Sequence, residues 1–117
     1  MIDEYMSNSM FCMLSCFNLK EDENIDEFRA CLDLFSLKLI EDGFLDSTTP
    51  ITKRFHHPVM DTDESNFEYF FTMKFKNEDQ LERSVKFIFE ESEPGLTLHQ
   101  NVWRKIEQYN FICWQDI

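Results

Sequence analysis

The chain has 117 residues and carries 23 acidic against 11 basic side chains, a net charge of −12. Nucleic acid and anionic membrane surfaces both demand a basic face, so this balance argues against either as a partner. Hydrophobic residues make up 43%, with 13 Phe against only two Gly and three Pro, which is material for one core and not the composition of a disordered chain.

Residues 1–9 (MIDEYMSNS) are polar and acidic where a secretory signal would begin basic, so they read as a flexible leader, and residues 10–117 are expected to form a single domain. No unbroken apolar run approaches the roughly 20 residues that span a bilayer. A cytoplasmic location follows as the expectation. Cys12, Cys16, Cys31 and Cys113 then read as reduced thiols. Four residues of strand cover roughly 13 Å, too far for Cys12 and Cys16 to share a disulfide or a metal ion.

The pattern over 10–19 (MFCMLSCFNL) predicts a strand apolar on both faces. Met10, Cys12, Leu14 and Cys16 fall on one side, and Phe11, Met13, Phe17 and Leu19 on the other. Asn24 with Glu27 three residues on marks a helix start, and Ile25, Phe28, Leu32, Phe35 and Leu39 form one helical stripe. Gly43 suits the left-handed residue that ends it. A strand is expected over 51–57, flanked by Pro50 and Pro58, then a mobile acidic connection over 59–65. Phe67, Tyr69, Phe71, Met73 and Phe75 predict one face of a third strand over 67–76. Asn77 with Gln80 predicts a second capped helix, broken at Pro94 and Gly95. A further helical stretch is expected over 97–108 and a closing strand over 109–114.

This β-α-β-β-α-β order predicts an α+β, ferredoxin-like fold. The strand MFCMLSCFNL, the helix ending at EDGF, the strand FEYFFTMKFKN entering a capped helix, and the closing YNFICW together resemble the dimeric α/β-barrel superfamily. Within it, the chain is most similar in plan to uncharacterised bacterial domain families. The resemblance implies a four-stranded antiparallel sheet with helices on one face. The other face would meet a second copy's sheet, and any ligand would lie between sheet and helices or at the barrel mouth. Members of the superfamily include cofactor-free monooxygenases, isomerases and haem-degrading enzymes. The last use an Asn, a Trp and a His. Asn18, Trp103 and His99 are present here, but none can be placed on that family's motif, so no role carries over.

Arg54 and His56 share one face of the expected edge strand, within reach of Glu68, Thr72 or Lys74. They are the candidate catalytic pair, His56 as acid/base and Arg54 as electrostatic anchor, although the same residues equally suit a solvated sheet face. Tyr69 and Trp103, with Trp114, are candidates to line an aromatic pocket, while aromatics so spaced otherwise belong to a core. His56 and His57 would diverge on a strand and could not grip one ion. Asp61, Asp63 and Ser65 imitate a calcium loop, but Asn66 and Thr72 stand where it needs Gly and Glu. Neither a metal nor another cofactor is expected. With only two glycines there is no phosphate-cradling loop. The expected function is a homodimer that binds a small organic ligand, with or without turning it over in a monooxygenase- or isomerase-like reaction. The alternative is a non-catalytic acidic module that meets a basic protein.

Overall fold

Alternation along the first strand decides the layers. In the computed structural model, which describes residues 9–117, β1 runs Phe11–Leu19. Its odd-numbered residues Phe11, Met13, Phe17 and Leu19 pack into the helix-side core, so Cys12, Leu14, Cys16 and Asn18 point to the opposite face. The leader expected over 1–9 lies, except for Ser9, outside the described residues.

Helix α1, Ile25–Glu41, begins where Asn24 accepts a hydrogen bond from the Glu27 amide at 2.9 Å. It ends as its sequence predicts. Gly43 is left-handed at φ 77°, its amide bonds the Ile40 carbonyl, and the Phe44 amide bonds the Leu39 carbonyl at 2.8 Å. That pair of bonds satisfies carbonyls a helix end otherwise leaves open. The stripe Phe28, Leu32, Phe35 and Leu39 is buried against the sheet. Ser36 is buried in the same helix, and its hydroxyl has no hydrogen-bond partner among the described residues. An unsatisfied buried hydroxyl costs about 1–3 kcal/mol. Ser36→Ala is therefore expected to raise Tm in a thermal melt, and a lower Tm would show that the hydroxyl has a partner.

Of the second strand expected over 51–57 only a short piece forms, and another short strand precedes it. β2 is Ser47–Thr48 and β3 is Thr52–Lys53, both paired with β4, Tyr69–Phe75. Pro50 falls between them, where it can donate no ladder hydrogen bond. Residues 54–57, expected in the strand, leave the sheet for a loop. The next helix, α2, covers Glu78–Phe89, with Asn77 accepting from the Gln80 amide at 2.8 Å. The Gln80 side chain reaches back to the Lys76 amide at 2.7 Å.

Helix α3, Gly95–Trp103, stops five residues short of the expected end, and β5, Ile106–Gln115, starts three residues before the expected strand. The reason is tertiary. The Lys20 amide bonds the Lys105 carbonyl at 2.9 Å, and the Lys105 ammonium meets Glu23 at 3.0 Å. These contacts pull the chain into register beside β1. At the helix start, a Cβ on Gly95 would sit 2.5 Å from the tip of the Phe87 ring, so any larger residue there requires that ring to shift.

The antiparallel sheet has the order β2-β4-β1-β5, with β3 also on the outer side of β4. It is an α+β arrangement of five strands and three helices, one strand and one helix more than the simplest ferredoxin-like plan. The sheet of one chain is open and does not close into a barrel. Its second face carries Leu14, Phe70, Ile112 and Trp114, set by the pairs Leu14 with Ile112, Cys16 with Phe70 and Cys12 with Trp114. No helix among the described residues is long and apolar enough to cross a membrane.

Candidate functional site

The helix-facing series of β1 reads Phe11, Met13, Ser15, Phe17, Leu19, and the small member creates space. Ser15 lies between Phe71 of β4 and Phe111 of β5 on the sheet floor. Above it, a cavity of about 550 Å³ opens between the sheet and the three helices. Its inner walls come from Leu32, Phe35 and Leu39 of α1, from Leu81 and Ile88 of α2, and from His99 and Val102 of α3. Val85, Phe89, Trp103, Tyr109 and Phe111 line the cavity and also reach solvent, so they mark its mouth. No helix among the described residues covers the β5 side, which leaves that mouth open.

At the mouth the aromatic rings pack on one another. Trp103 meets Tyr109 edge-on at 4.6 Å and stacks on Phe111 at 6.4 Å. One helical turn before Trp103, His99 faces Phe35 at 5.3 Å and stacks on Trp103 at 6.3 Å. Burial pushes the His99 imidazole below its ordinary pKa of 6.5, because little solvent is present to stabilise its charge. At neutral pH the ring is therefore uncharged, with one nitrogen donating and the other accepting.

That depression has a consequence for stability. As pH falls below about 6.5, the unfolded chain protonates at His99 before the folded chain does. The unfolded state binds more protons in that interval, so the His99 contribution to stability is lost as the solution is acidified. Thermal melts between pH 7.5 and 5.5 are expected to show a smaller loss of Tm for His99→Leu than for the unsubstituted protein. Equal losses would mean the imidazole is freely solvated.

The residues singled out from the sequence fall in different places. Trp103 lines the cavity; Tyr69 is on the same face but beyond it, stacked on Phe17 at 5.5 Å. Asn18 lies on the opposite sheet face from Trp103 and His99. There it donates to the Gln108 side chain at 2.9 Å and to the Asn66 carbonyl at 2.8 Å. His99, Ser15, Tyr109 and Phe111 line the cavity although the sequence reading gave them no place there. A visible signal for His99 was its i, i+4 spacing to Trp103 on a helical stripe.

Arg54 and His56 come together outside the cavity, in the loop after β3. The Arg54 guanidinium holds the Asp61 carboxylate with two bonds, 2.8 and 3.0 Å long. It also donates to the carbonyls of Asp63, Ser65 and Phe67. Those contacts engage all five of its N–H donors. The acidic connection expected to be mobile is thus gathered around one cation, which holds the Asp61 carboxyl below the usual carboxylate range through that hydrogen bond. His56 reaches Glu68 at 2.7 Å and Asp61 at 3.4 Å and stays half-exposed. His57 accepts from the amides of Val59 and Met60, fixing the turn that follows.

No family model matches this chain, and no curated protein does. Solved structures match over nearly its whole length. A cofactor-independent oxygenase from Streptomyces nogalater, SnoaB in a mutant form, has a TM-score of 0.63 at 8% identity, with 90% of each chain covered. The hydroxynitrile lyase of Passiflora edulis has a TM-score of 0.67 at 11% identity over 94% of this chain and 95% of that one. A dimeric protein of unknown function and ferredoxin-like fold from Bacteroides fragilis has a TM-score of 0.52 at 14% identity, covering 92% and 96%. The fold is ferredoxin-like. At these identities the likeness concerns the fold alone, and function has to be argued from the cavity.

Proposed function

We propose that this protein is a homodimer that binds a small organic molecule in the cavity between its sheet and helices. The observation that carries this reading is the cavity itself. About 550 Å³ lies within the usual range for ligand pockets, its walls are almost wholly apolar, and its few polar groups include a neutral imidazole. A core built only for stability would close such a space, because empty volume forfeits contact energy. The second copy belongs on the open sheet face, where Leu14, Ile112 and Trp114 are otherwise left to water. A cytoplasmic setting fits the four free cysteines.

Catalysis without a cofactor is the stronger form of this reading. A neutral imidazole in an apolar, sheltered space is equipped to take a proton from a bound ligand. The cofactor-independent oxygenase and the hydroxynitrile lyase that share the fold make such chemistry compatible with the architecture. His99 is then the acid/base group. The Arg54–His56 pair fits better as the organiser of its own loop, since Arg54 has no donor left for a substrate.

Titration with the uncharged dye Nile red tests the binding reading. Fluorescence should saturate at one dye per chain, and Ser15→Phe on the floor or Val85→Trp at the mouth should weaken binding at least tenfold. Unchanged binding in both folded variants would mean that the dye sits elsewhere and would remove the support.

A further inference from the structure

The cavity lining has a composition unlike the rest of the chain. Charged residues are 29% of the sequence, yet no Asp, Glu, Lys or Arg among the described residues lines this space. An ionic ligand would have to leave its hydration shell with no countercharge to meet it, which is prohibitive in an apolar site. The net charge of −12 adds a long-range repulsion against anions. Cations fare no better at the mouth. An aromatic cage needs separated rings around the charge, whereas Trp103, Tyr109 and Phe111 contact one another and present one continuous surface.

Away from the mouth, where Trp103 and Tyr109 bring an indole N–H and a phenol, two polar groups without a side-chain partner interrupt the apolar lining from opposite walls. Ser15 is on the floor, 4% exposed, and His99 is on the helix side. Neither takes a side-chain hydrogen-bond partner among the described residues. The Ser84 hydroxyl, also in the lining, is already donated to the Phe44 carbonyl. A hydroxyl and a neutral imidazole each donate and accept, so together they suit a group that does the same or only accepts.

Resting on the ligand-site reading above, we infer that the cavity selects an uncharged ring compound bearing one hydroxyl or carbonyl, with that group held between Ser15 and His99 and the ring against the aromatic wall. Carboxylates, phosphates, nucleotides and amines are excluded as ligands of this site. The selection works by omission, since a charged ligand finds no partner, and by the two polar groups, which an unsubstituted hydrocarbon leaves unpaired.

A matched series on one ring system separates this inference from the reading beneath it. Calorimetric titration of the full-length protein is run with 2-naphthol, 2-naphthoate, naphthalene and 2-naphthyltrimethylammonium, with Nile red as the neutral reference. 2-Naphthol is expected to bind at least tenfold more tightly than either ion. Ser15→Ala and His99→Leu should each lower its affinity toward that of naphthalene while leaving naphthalene unchanged. If Nile red binds but naphthoate or the ammonium binds as well as naphthol, selection against charge is overturned and the ligand site stands. If naphthol keeps its advantage in both variants, the assignment of Ser15 and His99 is overturned. Failure of every probe, Nile red included, overturns the ligand site itself.

Discussion

Replacing Phe28 by Ala is expected to remove about 3–5 kcal/mol of stability. Phe28 is fully buried and its ring centroid lies 4.6 Å from that of Phe17, so it joins α1 to the central strand. Its neighbours relax only partly into a benzyl-sized hole. A domain of this size has about 5–15 kcal/mol in all, so the variant loses a large share of it. At about 4 °C per kcal/mol, Tm should drop by roughly 12–20 °C in a calorimetric or circular dichroism melt. Phe55→Ala is the comparison. That ring is 77% exposed, and its loss should change stability by no more than about 0.5 kcal/mol. Similar losses at both positions would contradict the placement of the core.

The second large effect concerns assembly. Ile112 sits beside Leu14 on the open face of the sheet and is 49% exposed in the single chain. In the proposed dimer it is covered by the other copy. Ile112→Glu then buries an unpaired carboxylate twice in one interface, related by the two-fold axis. The dimer dissociation constant should rise by at least about 100-fold, equivalent to about 2.7 kcal/mol. Sedimentation equilibrium should find the unsubstituted protein at twice the 14.2 kDa chain mass and the variant near the chain mass at micromolar concentration. A monomeric parent, or a variant as dimeric as its parent, would contradict the use of this face. The helix side should be untouched, because Ile112 and the cavity residues lie on opposite faces of β5.

Features governed by local periodicity were legible in the amino-acid order alone. The alternation in β1 and β4, the Asn24 cap and the Gly43 stop each depend on neighbours within a few residues, and the fold class followed from their order. Breaks imposed from a distance were not legible. The edge strand ends at Lys53 because Arg54 is captured by Asp61 and three carbonyls up to thirteen residues away. α3 ends early because Lys105 is held by Glu23 and Lys20 from the far end of β1. The start of β5 was hidden by its polar residues Glu107 and Gln108, which an exposed edge strand tolerates.

The site was legible only in part for the same reason. Trp103 announced itself as a large aromatic, but a cavity is made by what is small or absent. Ser15 looks unremarkable in a strand of Phe, Met and Cys until its cross-strand neighbours Phe71 and Phe111 are known. His99 looked isolated because it is far in sequence from His56 and His57, and only the fold shows the burial that holds its pKa down. Arg54 and His56 drew attention as a cation beside an imidazole, yet polar groups that find partners close by in three dimensions serve the loop that supplies them.

The chain's two tryptophans lie on opposite faces of the sheet layer, Trp103 at the cavity mouth and Trp114 on the open face. Their indole N–H signals in a nitrogen-15 correlation spectrum therefore report separately on ligand and partner. Titration with 2-naphthol should shift the Trp103 signal and leave that of Trp114 in place, while dilution toward monomer should do the reverse. A ligand that moves Trp114 and spares Trp103 would contradict the assignment of the helix-side cavity as the binding site.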